Sequence, residues 1–233
     1  MAAKNSLKIY LPNSYYHLYN RGVEKREIFC DKQDYSVFIL YLKEYLTPKP
    51  IDGLMEKLNS DNISGRDKDK ILKLIQRNNF FNEIWLLCYC LMPNHFHFEI
   101  KQSSANSIDK FMNSFCLRYS MYFNKKYKRV GKLFQGVYKA SLVENEEQLL
   151  YLSKYIHLNP VKEKINGLKQ IILQPSSYLN FTGEIKQDWL VPNDILLFYS
   201  QKNDQRSYKS FIESEFKEVM SLGSKTMIDN EDN

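Results

Sequence analysis

The sequence predicts an α+β fold, and three observations carry that prediction. The segment Trp85 to Ile100 alternates residue types on either side of a Pro93-Asn94 turn, as two paired strands would. Helical spacing of apolar residues appears both before and after it. The resulting order, strand-helix-strand-strand-helix-strand, is that of a split antiparallel sheet with helices on one side, the ferredoxin-like arrangement.

Each element follows from local residues. Tyr15 to Gly22 reads as a first strand ending at a glycine. Tyr35, Phe38, Ile39, Leu42 and Tyr45 recur at helical spacing, with Asp31 placed to cap that helix and Pro48 and Pro50 to stop it. A charged, Asn-rich stretch of about 47–80 reads as an insertion, with helical runs at Leu54–Leu58 and Ile71–Ile75. After the hairpin, Ile108, Phe111, Met112, Phe115, Cys116 and Tyr119 form an amphipathic helix. Residues 133–143 read as the last strand. Asn145 with Gln148 suggests the capped start of a helix from Glu146 to Leu158, ended by Pro160. Trp189, Ile195 to Phe198, Tyr208 and Phe211 suggest short helices before a polar tail.

The 233 residues fit one elaborated domain, and 43% hydrophobic content is ample for its core. A net charge of +6 is compatible with nucleic acid, and 17 tyrosines supply both core filler and stacking surfaces. The first residues lack the apolar run of a signal peptide, and no apolar stretch approaches a membrane span. Cys30, Cys88, Cys90 and Cys116 show no disulfide framework, so reduced thiols and a cytoplasmic location are expected.

The hairpin holds two of the four histidines, His95 and His97, one pleat apart on one strand face. A two-residue loop pairs Met92 with His95, Cys90 with His97 and Cys88 with Glu99. The opposite face then carries Leu87, Tyr89, Leu91, Phe96, Phe98 and Ile100. Core packing does not require the histidines, since Phe96 and Phe98 supply it. They read as polar strand residues, as ligands of a divalent ion, or, with Cys88 and Cys90, as a structural zinc set. Against zinc, four ligands on two paired strands form a nearly planar strip.

On the later helix, Tyr155 and Asn159 lie one turn apart and can face one point, although Asn159 precedes a proline that disfavours helical geometry there. Tyr155 edges the apolar stripe of Leu149, Leu152 and Ile156, and Tyr151 is its rival one turn earlier. The run Lys125, Lys126, Tyr127, Lys128, Arg129 with Lys132 mixes cations and aromatics, as a solvated loop or as a surface for phosphates and unpaired bases. Arg21 and Arg118 are further phosphate candidates. His17 and His157 are expected to do no more than pack or bond at the surface.

Four segments together resemble the one-tyrosine HUH transposases of single-stranded DNA, in particular their REP-associated tyrosine branch. They are Tyr16-His17-Leu18-Tyr19-Asn20-Arg21-Gly22, Leu91-Met92-Pro93-Asn94-His95-Phe96-His97, Gly131-Lys132-Leu133-Phe134-Gln135 and Tyr155-Ile156-His157-Leu158-Asn159-Pro160-Val161-Lys162. The resemblance covers residues 14–180, leaving 181–217 as a helical extension and 218–233 as a disordered tail. It implies Tyr155 as nucleophile and His95, His97 and Asn159 as ligands of Mg²⁺ or Mn²⁺. It also implies cleavage and rejoining of single-stranded, hairpin-containing DNA through a 5′-phosphotyrosine, by a monomer or a homodimer associated with the nucleoid. A domesticated, non-cleaving DNA binder on the same fold is the alternative.

Overall fold

A computed structural model describes residues 10–60, 62–162 and 175–221. Strands β1 (Tyr15–Arg21), β2 (Ile84–Met92), β3 (His95–Gln102) and β4 (Lys139–Val143) form one antiparallel sheet in the order β2-β3-β1-β4. Helices α1 (Lys32–Leu46) and α4 (Ser107–Lys126) join these strands in the split order read from the sequence. The expected hairpin pairs, Met92 with His95, Cys90 with His97 and Cys88 with Glu99, are all formed.

One face of the sheet is packed by α1 and α4 over an aromatic core. Phe38 meets Phe96, Phe115 and Tyr119 at ring-centroid distances of 5.4, 4.7 and 4.8 Å. Burying each such side chain contributes about 1.5–3 kcal/mol. α1 starts where expected because Asp31 and Asp34 form a reciprocal capping box.

Helices also cover the second face. α5 (Glu146–Lys162) lies across it, backed by α6 (Tyr178–Phe181), α7 (Asn193–Leu196) and α8 (Tyr208–Ser221). Leu87, Cys88, Cys90 and Met92 pack there with Leu149 and Ile156 of α5. Leu87 was expected on the aromatic side, but a bulge between Leu86 and Cys88 adds a residue and reverses the alternation. Leu86 therefore takes the place in the aromatic core.

Other boundaries also differ from the sequence reading. β4 begins at Lys139 and not near 133, since Gly136 adopts φ +72° and turns the chain before it. α5 passes through Pro160 to Lys162. A proline in the last turn removes the partner of one carbonyl only, so Asn159 stays helical. The start of α5 is as expected, with the Asn145 side chain accepting from the Gln148 N–H at 2.8 Å.

The insertion is a helical pair, α2 (Ile51–Leu58) and α3 (Gly65–Gln76), with no buried residue in either helix. Beyond α5 the chain returns along the outer edge of β2. There the Leu91 N–H donates to the Pro175 carbonyl at 2.9 Å and the Ser177 N–H to the Tyr89 carbonyl at 3.0 Å. Val191 likewise donates to the Leu86 carbonyl at 2.9 Å. The expected disordered tail lies outside the described residues from 222 on, and α8 reaches Ser221. Among the described residues no helix is long and apolar enough to cross a membrane.

Candidate functional site

The site lies on the α5 face, at the end of the sheet that holds the Pro93-Asn94 turn. That turn is pinned by the segment that follows β1. The Gly22 N–H donates to the Asn94 carbonyl at 2.8 Å, and Ile28 and Phe29 donate to the Pro93 carbonyl at 2.8 and 3.0 Å. Gly22 is required there, because a Cβ would lie 2.1 Å from the Arg26 carbonyl oxygen.

β3 presents His95 and His97 with ring centroids 5.0 Å apart and planes at 89°. The His95 Nδ1 bonds Asn94 Oδ1 at 2.6 Å, while Asn94 Nδ2 donates to the Lys25 carbonyl at 3.3 Å. An amide oxygen only accepts, so His95 carries its hydrogen on Nδ1 and its lone pair on Nε2. Burial, aided by Arg21, pushes its pKa down to about 4 and keeps the ring neutral.

β1 adds side chains that the sequence reading left aside. His17 and His97 share a hydrogen bond, Nε2 to Nδ1, at 2.9 Å, with rings stacked at 5.1 Å and 19°. His17 is therefore part of the site and not an ordinary packing or surface residue. Tyr19 stacks on both rings, at 4.8 Å from His17 and 5.7 Å from His97. Lys139 of β4 stands over Tyr19 at 5.4 Å. The odd-numbered period from Tyr15 to Arg21 was visible in the sequence; its pairing with β3 was not.

α5 brings Tyr155 edge-on to His97 at 5.5 Å and to His17 at 5.9 Å. Tyr151, the rival, is 54% exposed. Asn159 is buried one turn beyond Tyr155 and donates from Nδ2 to the Tyr155 carbonyl at 3.2 Å, which leaves its oxygen as the acceptor. His157, on the far side of α5, bonds Tyr208 of α8 at 2.7 Å and Ser177 at 2.8 Å. This buried link ties the tyrosine helix to the C-terminal helices, a role the sequence did not reveal.

The donor set suits a divalent ion through imidazole nitrogen and amide oxygen. A Cys-Cys-His-His zinc set is not assembled. Cys88 Sγ donates to Glu99 Oε2 at 3.2 Å, and Cys90 Sγ lies 3.6 Å from Met92 Sδ. Burial raises both the Cys88 thiol and the Glu99 carboxyl well above their ordinary pKa values, so the pair stays protonated. Among the described residues no group of three His, Cys, Asp or Glu side chains is placed to hold an ion.

The basic candidates divide. Arg21 lies beside the site and donates to Gln135 at 2.6 Å. Lys125, Lys128 and Lys132 are exposed, and the half-buried Arg129 lies 5.7 Å over Phe123. Arg118 stacks on Tyr41 at 3.6 Å and pairs with Glu44. Lys126 sits 2.7 Å from both Asp31 and Asp34, and Tyr127 donates to Asp34 at 2.8 Å. These last three hold the fold together, through partners far off in sequence.

Fold and site together define a split α+β domain whose sheet sets a histidine pair against a helix-borne tyrosine. Residues 54–159 match the family described as IS200-like transposases, and over that span the chain is similar to them. Among solved structures, a REP-associated tyrosine transposase bound to a REP hairpin is 12% identical, covering 88% of this chain and 96% of that one, with a TM-score of 0.43. A structure from Deinococcus radiodurans assigned as a transposase is 16% identical, covering 65% and 95%, with a TM-score of 0.28. The tRNA(His) guanylyltransferase of Saccharomyces cerevisiae is 12% identical, covering 91% and 81%, with a TM-score of 0.31. No curated protein matches the sequence. Of these comparisons only the family match, over residues 54–159, bears on function.

Proposed function

We propose that the chain is a metal-dependent nickase and strand transferase for single-stranded DNA, acting at hairpin-containing sequences. The observation that carries this reading is the contact of Tyr155 with His97, edge to face at 5.5 Å, made within one chain. In the proposed step the Tyr155 oxygen attacks the scissile phosphorus. A phosphorus–oxygen bond to tyrosine forms, the bond to the 3′ oxygen breaks, and that oxygen keeps the electron pair. The phenol proton is given up and the leaving 3′ oxygen gains one, leaving a 5′-phosphotyrosine and a 3′-hydroxyl. Attack by a 3′-hydroxyl reverses the step and rejoins the strand.

A phenol of pKa about 10 is a weak nucleophile, so the site must stabilise developing charge. Bound Mg²⁺ or Mn²⁺ would supply Lewis-acid charge to the phosphate, held by His95, His97 and Asn159. Arg21 offers a guanidinium beside His95, and Lys139, Lys125, Lys128, Arg129 and Lys132 offer charge along the strand's approach. Tyr19 offers a ring for stacking an unpaired base.

The test uses labelled single-stranded oligonucleotides carrying the hairpins that flank the gene, incubated with Mn²⁺ or Mg²⁺. Wild type gives a covalent protein–DNA adduct on a denaturing gel; Tyr155→Phe gives none, and Tyr151→Phe behaves as wild type. Binding without an adduct across all hairpins would favour a non-cleaving binder. An adduct that survives Tyr155→Phe would end this assignment of the nucleophile.

A further inference from the structure

We infer that His17 is a positioning residue for His97: it accepts the hydrogen of His97 Nδ1 and thereby makes Nε2 the ring's lone-pair nitrogen. The inference rests on the reading of His95 and His97 as ligands of a divalent ion, and it assigns His17 a role that neither packing nor phosphate contact explains.

Two neutral imidazoles that share one hydrogen bond have two arrangements. If His17 donates from Nε2, His97 accepts at Nδ1, its hydrogen sits on Nε2, and no lone pair is left for an ion. If His97 donates from Nδ1, its Nε2 is the donor atom to an ion, and His17 carries its own hydrogen on Nδ1. The 2.9 Å bond between His17 Nε2 and His97 Nδ1 therefore couples ion binding to the tautomer of His17. Hydrogen bonds to the second nitrogen of a ligating imidazole fix its tautomer and raise its basicity.

Two observations support the second arrangement and the positioning role. His95 already has it, because the Asn94 oxygen can only accept. His17 would then do for one ring what Asn94 does for the other. Next, His17 is held in place by stacking, with Tyr19 at 4.8 Å and 28° and His97 at 5.1 Å and 19°.

The experiment has two readouts besides cleavage. In histidine-¹⁵N-labelled wild type without metal, long-range ¹H–¹⁵N correlation reports the His97 tautomer. The Nδ1–H form is expected, and finding the Nε2–H form would overturn the inference even if every variant failed to fold. Mn²⁺ dissociation constants, from the EPR signal of free Mn²⁺, are then compared among variants with unchanged thermal unfolding. His17→Phe keeps a stacking ring without an acceptor and is expected to bind Mn²⁺ about 10–100-fold more weakly. His17→Gln restores an acceptor and is expected to recover part of that loss. Equal affinity in wild type and His17→Phe would overturn the inference and leave the ion site standing. No Mn²⁺ binding by wild type would overturn both.

Discussion

The two faces of the sheet are made by the same strands and differ in nearly everything else. Toward α1 and α4 the strands send Phe96 and Phe98 into a core with Phe38, Phe115 and Tyr119, where rings meet rings. Toward α5 the same strand sends His95, His97 and Glu99, and β1 adds His17 and Tyr19. The first face gains from apolar burial, which is non-directional and grows with area. The second sets polar atoms against directed partners, as Asn94 Oδ1 for His95 and Cys88 Sγ for Glu99 Oε2. Stability and chemistry are thus separated by the period of two along a strand, and a substitution tests one or the other.

Phe38→Ala should show the largest effect, a loss of about 3–5 kcal/mol in denaturant unfolding, because the surrounding rings collapse only in part. A loss under about 1 kcal/mol would break the contrast between the faces. Asp34→Asn should come next, at about 1–3 kcal/mol at neutral pH. Burial alone would raise the Asp34 carboxyl, but Lys126, the Cys30 N–H, Tyr127 and Tyr122 outweigh it and hold it below the ordinary carboxylate range. With the native value below the unfolded one, this stabilisation is complete above about pH 4 and is lost as pH falls through that range. The gap in Tm between wild type and Asp34→Asn should therefore close in acid; a gap independent of pH would assign it to packing.

On the α5 face, Tyr208→Phe removes the hydroxyl that meets His157 and Ser153. About 0.5–1.5 kcal/mol should be lost in thermal unfolding, together with adduct yield, since α5 carries Tyr155. An unchanged yield would show that the link steadies the extension without steadying the tyrosine. Leu72→Ser, on the exposed insertion, should stay within about 0.5 kcal/mol.

The hairpin was legible in the sequence because its alternation, turn residues and loop length all agree. Asp31 and Asn145 marked their helix starts for the same reason: capping needs one side chain and the next turn. The failures share a cause as well. The Leu86–Cys88 bulge, the pairing of His17 with His97 and the capture of Arg118 by Glu44 and Lys126 by Asp34 all depend on elements that meet only in three dimensions. Pro160 misled in another way, since a last-turn proline sacrifices a single bond. Tyr155 could be set above Tyr151 only through the motif resemblance; the fold then places Tyr155 against the histidines and leaves Tyr151 to solvent.

The return of the chain along β2 has a consequence for handling and evolution. β2 reads Ile-Trp-Leu-Leu-Cys-Tyr-Cys-Leu-Met, a strand whose outer backbone would otherwise be a template for another chain. Pro175 to Ser177 and Val191 occupy that rim with hydrogen bonds of their own. A version truncated after α5 would keep Tyr155 and the histidines but lose the Tyr208 bond to His157 and bare that border, so it is expected to self-associate. Residues 175–177 and 191 thus guard the domain against misassembly.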